Sequence, residues 1–184
     1  MTDITNLSTV NVAISNYIAV VTMNNPPVNA QNRQFHDDLT LAFDVLSDRN
    51  DVRSIVLTGA GKCFSAGADI KGRASQETDL GDHWVHSRRV RECFYAIMEC
   101  RKPVIAAING AALGAGLAVA ASADILIASE SASVGLPEIN VGLLGGGRHA
   151  MRLFGHSKTR RLMLTGQRLS GAELYRLGAV EECV

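Results

Sequence analysis

From Pro103 to Ala118 the chain reads P-V-I-A-A-I-N-G-A-A-L-G-A-G-L-A. An apolar run over residues 104–108 meets Asn109-Gly110, and the residues after it are small or aliphatic. This order predicts a buried strand turning abruptly into a helix whose first turn is almost free of side chains. Bare N–H groups at a helix start attract a ligand oxygen carrying negative charge, and glycines there admit a close approach to the backbone. The rest of the sequence is read as scaffold, second donor and base for this turn.

The 184 residues and their 47% apolar content suffice for one domain, spanning residues 1–184, with a sizeable core. Lys and Arg total 18 and so do Asp and Glu, a net charge of zero that argues against a nucleic-acid partner or an acidic tail. Cys63, Cys93, Cys100 and Cys183 form neither a C-x-x-C pair nor a zinc spacing, which predicts reduced, buried thiols in a reducing compartment. The opening M-T-D-I-T-N-L-S-T-V lacks the basic start and apolar core of a signal peptide. Residues 104–128, the most apolar stretch, contain Asn109 and Asp124 and are broken by glycines, so no membrane span is expected. The cytoplasm is the expected location.

Alternation over residues 10–23 predicts a hairpin turned at Ser15-Asn16 and stopped by Asn24-Asn25-Pro26-Pro27. Phe35, Leu39, Ala42 and Leu46 then recur at helical spacing, predicting a helix over residues 31–49 capped by Asn29 or Asn32. Residues 54–58 form a short buried strand, which makes a right-handed parallel crossover. The next stretch, G-K-C-F-S-A-G-A-D-I-K, contains Ala66-Gly67-Ala68-Asp69, a second place where small residues would expose backbone donors; a simple tight turn is the plainer reading.

Residues 72–83 are polar and predicted as loop or cover, and residues 84–99 as a helix with Val90, Phe94, Ile97 and Met98 inward and Arg88, Arg89, Arg91 and Glu92 largely outward. A strand is expected over residues 123–129. Farther on, Glu138 sits between Leu136 and Ile139. An apolar setting raises a carboxyl pKa toward values useful in proton transfer, although a capping or ion-pairing acid is the plainer role. Basic helices are expected over 148–154 and 158–164. Ser170 with Glu173 forms a capping box, and a strand closes the chain over 179–184.

Five motifs taken together, in their order and spacing, resemble the crotonase superfamily, the enoyl-CoA hydratase/isomerase family: N-P-P-V-N-A (25–30), C-F-S-A-G-A-D-I-K (63–71), I-N-G-A-A-L-G-A-G (108–116), L-P-E-I-N-V-G-L (136–143) and L-T-G-Q-R-L-S-G-A-E (164–173). The resemblance implies an α/β fold of repeated β-β-α turns with stacked sheets and flanking helices. It implies acyl-CoA thioester substrates, with coenzyme A carried in the substrate and no separate cofactor or metal. It also implies a homotrimer or a dimer of trimers. In the family, further helices follow a point like Val184; this sequence does not contain them.

Carried onto matching positions, the resemblance makes the backbone N–H groups of Ala68 and Ala115 an oxyanion hole. Val28, Ala30, Ala66, Gly67, Asp69, Ile70 and Gly114 would line the thioester and CoA channel, with Asp69 mainly holding the turn. Family hydratases use two glutamates. The second matches Glu138, whereas the first falls at Ala118, which cannot transfer a proton. One carboxylate suffices to move a double bond, so isomerisation by Glu138 is the leading expectation. The alternatives are hydration with a substitute acid from Glu77, Asp79 or Asp82 or from beyond this sequence, a catalytically lapsed acyl-CoA-binding or assembly subunit, and other enolate chemistry.

Overall fold

The computed structural model describes residue 4, residues 6–70, residue 72 and residues 79–184. Strands β1 (Val10–Ser15) and β2 (Ile18–Met23) form the expected antiparallel hairpin. A two-residue strand, β3 (Ala30–Gln31), leads into helix α1 (Arg33–Asp48). Asn32 caps this helix, its Oδ1 accepting the Phe35 N–H at 2.8 Å, an interaction worth about 1 kcal/mol. The helix buries Phe35, Leu39, Phe43 and Leu46, each contributing about 1.5–3 kcal/mol of apolar transfer.

From β4 (Ser54–Gly59) onward a pattern recurs. The strands β4, β7 (Val104–Ile108) and β9 (Ile125–Ala128) lie side by side and parallel in one sheet. Each is followed by a short strand, β5 (Cys63–Ser65), β8 (Ala111–Leu113) or β10 (Ser133–Gly135), and these pair in parallel in a second sheet. With β11 (Arg168–Ser170) and β12 (Glu182–Cys183) added, the sheet orders are β1-β2-β4-β7-β9-β12 and β11-β10-β8-β5. A third, two-stranded sheet pairs β3 with β6 (Gly67–Ala68). Helices α2 (Leu80–Met98) and α3 (Ala115–Ala120) and a 3-10 turn (Pro137–Val141) follow successive repeats; α4 (Gly147–Ala150), α5 (His156–Thr165) and α6 (Gly171–Arg176) come after them. This is the expected α/β arrangement of β-β-α units with mixed sheets and flanking helices.

The central segment departs from a single strand-to-helix turn. Ala111–Leu113 is a strand in its own right, with β5 and β10 satisfying its backbone on both sides, and the helix starts only at Ala115. Three small residues show no period, so only the neighbouring strands reveal the element. Of the loop expected over 72–83, residues 80–83 belong instead to α2, which begins at Leu80 and is capped by Asp79, whose Oδ1 accepts the Asp82 N–H at 2.8 Å, while residues 73–78 lie outside the described residues. On this helix Phe94 and Ile97 are buried as expected, Val90 and Met98 are half-buried, and Arg89 reaches Asp37 of α1 at 2.7 Å.

Other boundaries also move. The helix expected over 148–154 is only the four-residue α4 followed by turns, and the closing strand is only Glu182–Cys183. Ser170 does cap α6, but the Glu173 carboxylate pairs with Arg176 at 2.7 Å instead of closing a capping box. All four cysteines are free, and Cys93 alone is buried; Cys63, Cys100 and Cys183 are half-buried.

Candidate active site

Two short backbone segments meet at the site. The first is Gly67–Ala68. The Asp69 N–H donates to the Gln31 carbonyl at 3.1 Å, and the register pairs Ala30 with Gly67 and Gln31 with Ala68. Successive N–H groups of a strand face opposite edges, so the N–H of Ala68 points away from β3. Ala66 is not a free donor, because its N–H reaches the Val28 carbonyl at 3.0 Å. A buried polar cluster holds this strand: Ser65 Oγ donates to the Asn29 carbonyl at 2.7 Å and accepts from Gln31 Nε2 at 3.2 Å and the Gly67 N–H at 3.3 Å. Asn29, the helix cap that was not, is buried at φ 52, and its Nδ2 donates to the carbonyls of Ala60 and Cys63 at 3.1 and 2.7 Å.

The second segment is Gly114–Ala115. Gly114 has φ 56 and supplies no side-chain cap, so the first N–H groups of α3 lack an acceptor within the helix. Its own N–H donates to the Gly135 carbonyl at 2.9 Å. Backbone contact brings the two segments together. A methyl group at Gly67 would lie 2.5 Å from the Leu113 carbonyl oxygen and 3.2 Å from the Ala115 nitrogen, and one at Gly116 would collide with the Ser65 carbonyl oxygen.

Glu138 faces this junction. A methyl at Gly114 would stand 2.8 Å from Glu138 Oε1, and methyls at Gly146 and Gly145 3.8 and 3.9 Å from the same atom. The parallel pair β8–β10 explains the approach, since Leu113 is opposite Gly135, and Pro137 turns the chain immediately afterwards. Glu138 Oε2 is buried and has no hydrogen-bond partner among the described residues, and burial pushes the carboxyl pKa up from 4.5. A carboxyl group kept partly out of water beside the first turn of a helix can move a proton next to an oxygen that gains negative charge.

The profile of the enoyl-CoA hydratase/isomerase family matches residues 13–184. The chain belongs to this family. It is 38% identical over 177 residues to a probable enoyl-CoA hydratase of Bacillus subtilis, covering 95% of this chain and 68% of that protein. It is also 38% identical over 169 residues to a (7aS)-7a-methyl-1,5-dioxo-2,3,5,6,7,7a-hexahydro-1H-indene-carboxyl-CoA hydrolase of Mycobacterium tuberculosis, covering 91% of this chain and 67% of that one. Among solved structures, DspI of Pseudomonas aeruginosa superposes with a TM-score of 0.87 at 35% identity, covering 96% of this chain and 68% of its own. An enoyl-CoA hydratase/carnithine racemase of Magnetospirillum magneticum superposes with a TM-score of 0.91 at 26% identity, covering 97% and 69%. A probable mitochondrial enoyl-CoA hydratase of Dictyostelium discoideum is matched over 60% of its length.

In this family member the remaining sequence candidates are dispersed. Asp69 Oδ1 accepts the Gly72 N–H at 2.9 Å, so it holds the turn, and Ile70 is 45% exposed. Ala118 is buried in α3, its carbonyl accepting the Ser122 hydroxyl. Of the three candidate substitute acids, Asp79 caps α2, Asp82 is exposed on its first turn, and Glu77 lies outside the described residues. Among the described residues no group of three or more His, Cys, Asp or Glu is placed to hold a metal, and no helix is long and apolar enough to cross a membrane.

Sequence reasoning missed the side chains that hold the donors, namely Ser65, Asn29 and Asn109. Asn109 Nδ2 donates to the carbonyls of Gly59 and Gly61 at 2.9 and 3.0 Å, clamping the turns of two repeats together. The available signal was Asn109-Gly110, which marked a turn but not its partner.

Proposed function

We propose that the chain binds an acyl-CoA thioester with its carbonyl oxygen between the N–H groups of Ala68 and Ala115, and that Glu138 shifts a double bond along the acyl chain. The Glu138 carboxylate takes a proton from C2 of a 3-enoyl ester, and the electrons of that C–H bond flow toward the thioester oxygen as an enolate. Two fixed donors stabilise that enolate more than the ground state, each by about 3 kcal/mol. As the enolate collapses, C2 and C3 become doubly bonded, the former double bond opens, and Glu138 returns the proton to C4. The thioester stays intact, and coenzyme A leaves as part of the product.

The observation that carries this reading is the Glu138 carboxylate set against Gly114, Gly145 and Gly146, with alanine at position 118 where the resemblance places a second acid. The channel role of Val28, Ala30, Ala66 and Gly67 is supported by the β3–β6 pairing that sets them beside Ala68. Proton NMR of the protein with 2-enoyl- and 3-enoyl-CoA esters in deuterated water tests it. Migration without water addition, lost by a factor of about 10² or more in Glu138→Gln, is expected; full turnover in that variant would sink the assignment.

Hydration is the second reading, favoured by the names of relatives such as the probable hydratases of Bacillus subtilis and Dictyostelium discoideum. It needs another acid, and the same spectra would reveal it as a 3-hydroxyacyl-CoA product. We further read the chain as one domain assembled into a homotrimer or dimer of trimers, supported by exposed apolar side chains at Val141, Leu143, Leu144 and Met151. Four free cysteines support a reducing compartment such as the cytoplasm.

A further inference from the structure

Two surface cavities carry opposite charge on a chain whose net charge is zero. One, at the end of α1, is lined by Asp44, Asp48 and Asp51 with Arg49. The other, of about 260 Å³, lies between α2 and the segment 148–152. Its floor is apolar, from Val90, Phe94 and Met98, and Arg91, Arg148 and Arg152 stand around it. Among the described residues no carboxylate lines this cavity, and none of its three arginines has an ion pair. Glu92, beside Arg91, is taken by Arg88 at 2.6 Å.

One wall of the cavity, the segment 148–152, follows directly on the glycines that flank Glu138. Arg148 follows Gly146, which flanks Glu138 Oε1, by two residues, and α4 packs on α3, the helix that begins at Ala115. His149 in this wall makes an edge-to-face contact with Phe94, ring centroids 4.6 Å apart. Burial, and then the charges of Arg152 and Arg148, hold the imidazole below its ordinary pKa, which favours its neutral form, so it adds no further positive charge to the cluster. At about 30 Å³ for each small group, the volume holds roughly eight or nine heavy groups.

We infer that this cavity receives the far end of the acyl group and selects acyl-CoA esters whose chain ends in a carboxylate. The inference rests on the acyl-CoA reading of the same site and names its substrate class. A methyl-ended chain would meet the apolar floor but leave the three exposed arginines without an anionic partner. A carboxylate-ended chain fills the same floor and accepts paired N–H donors from guanidinium groups, a geometry that arginine provides and lysine does not.

Calorimetric binding of matched saturated esters tests this without turnover, using glutaryl-CoA against pentanoyl-CoA and adipyl-CoA against hexanoyl-CoA. The carboxylated ester of at least one pair is expected to bind tenfold to a hundredfold tighter, about the range for hydrogen bonds to charged groups. That preference should shrink with added salt and fall below about threefold in Arg148→Gln/Arg152→Gln. Arg91→Gln, on a different element, gives the same comparison should the double variant misfold. Equal or tighter binding of the neutral esters would overturn the inference while leaving the Glu138 reading intact. Free glutarate binding undiminished beside saturating pentanoyl-CoA would also overturn it, by making the cavity an effector site. Failure of every ester to bind would overturn the acyl-CoA reading and this inference together.

Discussion

The two donor segments are held in different ways. Gly67–Ala68 belongs to a strand of two residues and is kept in place by side chains, with buried Ser65 Oγ joining buried Asn29, Gln31 and Gly67. Gly114–Ala115 has no side-chain cap and is kept in place by backbone packed on backbone, with Gly116 against Ser65 and Gly67 against Leu113. The first arrangement should fail when a polar group is deleted, because its partners are then left buried and unpaired. The second should tolerate deletions and fail only when an atom is added.

The largest effect expected from this contrast is that of Gly116→Ala. The added methyl collides with the Ser65 carbonyl and drives the segments apart. A loss of about 3 kcal/mol in stability is expected, with turnover reduced by about 10²; denaturant unfolding and steady-state kinetics would measure both. Native-like stability in this variant would mean that the segments are less tightly joined than their backbones indicate.

Acid should loosen the strand-borne half first. His36 lies in α1, close after β3; burial, with the nearby charges of His86 and Arg89, lowers its pKa to about 4 and outweighs the backbone of Asn32, which raises it. The unfolded chain takes up a proton near 6.5 and the folded chain only near 4, so stability is full above 6.5 and falls as pH drops through that window. The shift corresponds to about 3 kcal/mol at most. Urea midpoints between pH 7 and 4 should fall more steeply than in His36→Leu, and amide exchange should rise at residues 30–36 before it rises at 115–120.

Ser65→Ala should cost about 2 kcal/mol by stranding the Asn29 carbonyl and the Gln31 amide. Because the Ala68 donor shifts while the rest of the channel stays, kcat should fall by about tenfold with KM nearly constant. A rise in KM alone would place Ser65 in ligand binding. The smallest effect is expected from Ala115→Gly, which keeps the N–H and removes only a methyl. It should cost about 0.5 kcal/mol and leave turnover within about a factor of three.

The activity itself should carry the mark of Glu138. Burial raises its pKa, so its basic form appears at higher pH than that of a solvated glutamate. The acid limb of the pH profile of kcat/KM should therefore lie above 4.5 and vanish in Glu138→Gln.

Much of the scaffold was legible in the residues. Val10 to Met23 alternate as a hairpin must, and Phe35, Leu39, Ala42 and Leu46 mark one face of α1, because periods of two and near four are local properties of a chain. The strand Ala111–Leu113 was not legible: three small residues carry no period, and pairing with β5 and β10 makes them a strand. The same limit applied to Asn29, which was read as a possible helix cap. Its carbonyl partners, Ala60 and Cys63, are more than thirty residues away and reach it only through tertiary contact.

By itself, the sequence determined the family motifs, the glycine-rich turns, a lone glutamate between apolar neighbours and an alanine where a second acid would stand. All of these follow from residue type and spacing. The tertiary structure decided that Gly67, Gly114 and Glu138 converge, that Ser65 and Asn29 hold the strand-borne donor, and that Arg91 faces the same cavity as Arg148 and Arg152. Those relations depend on sheet register and helix packing, which join residues far apart in the chain and leave no local pattern to be read.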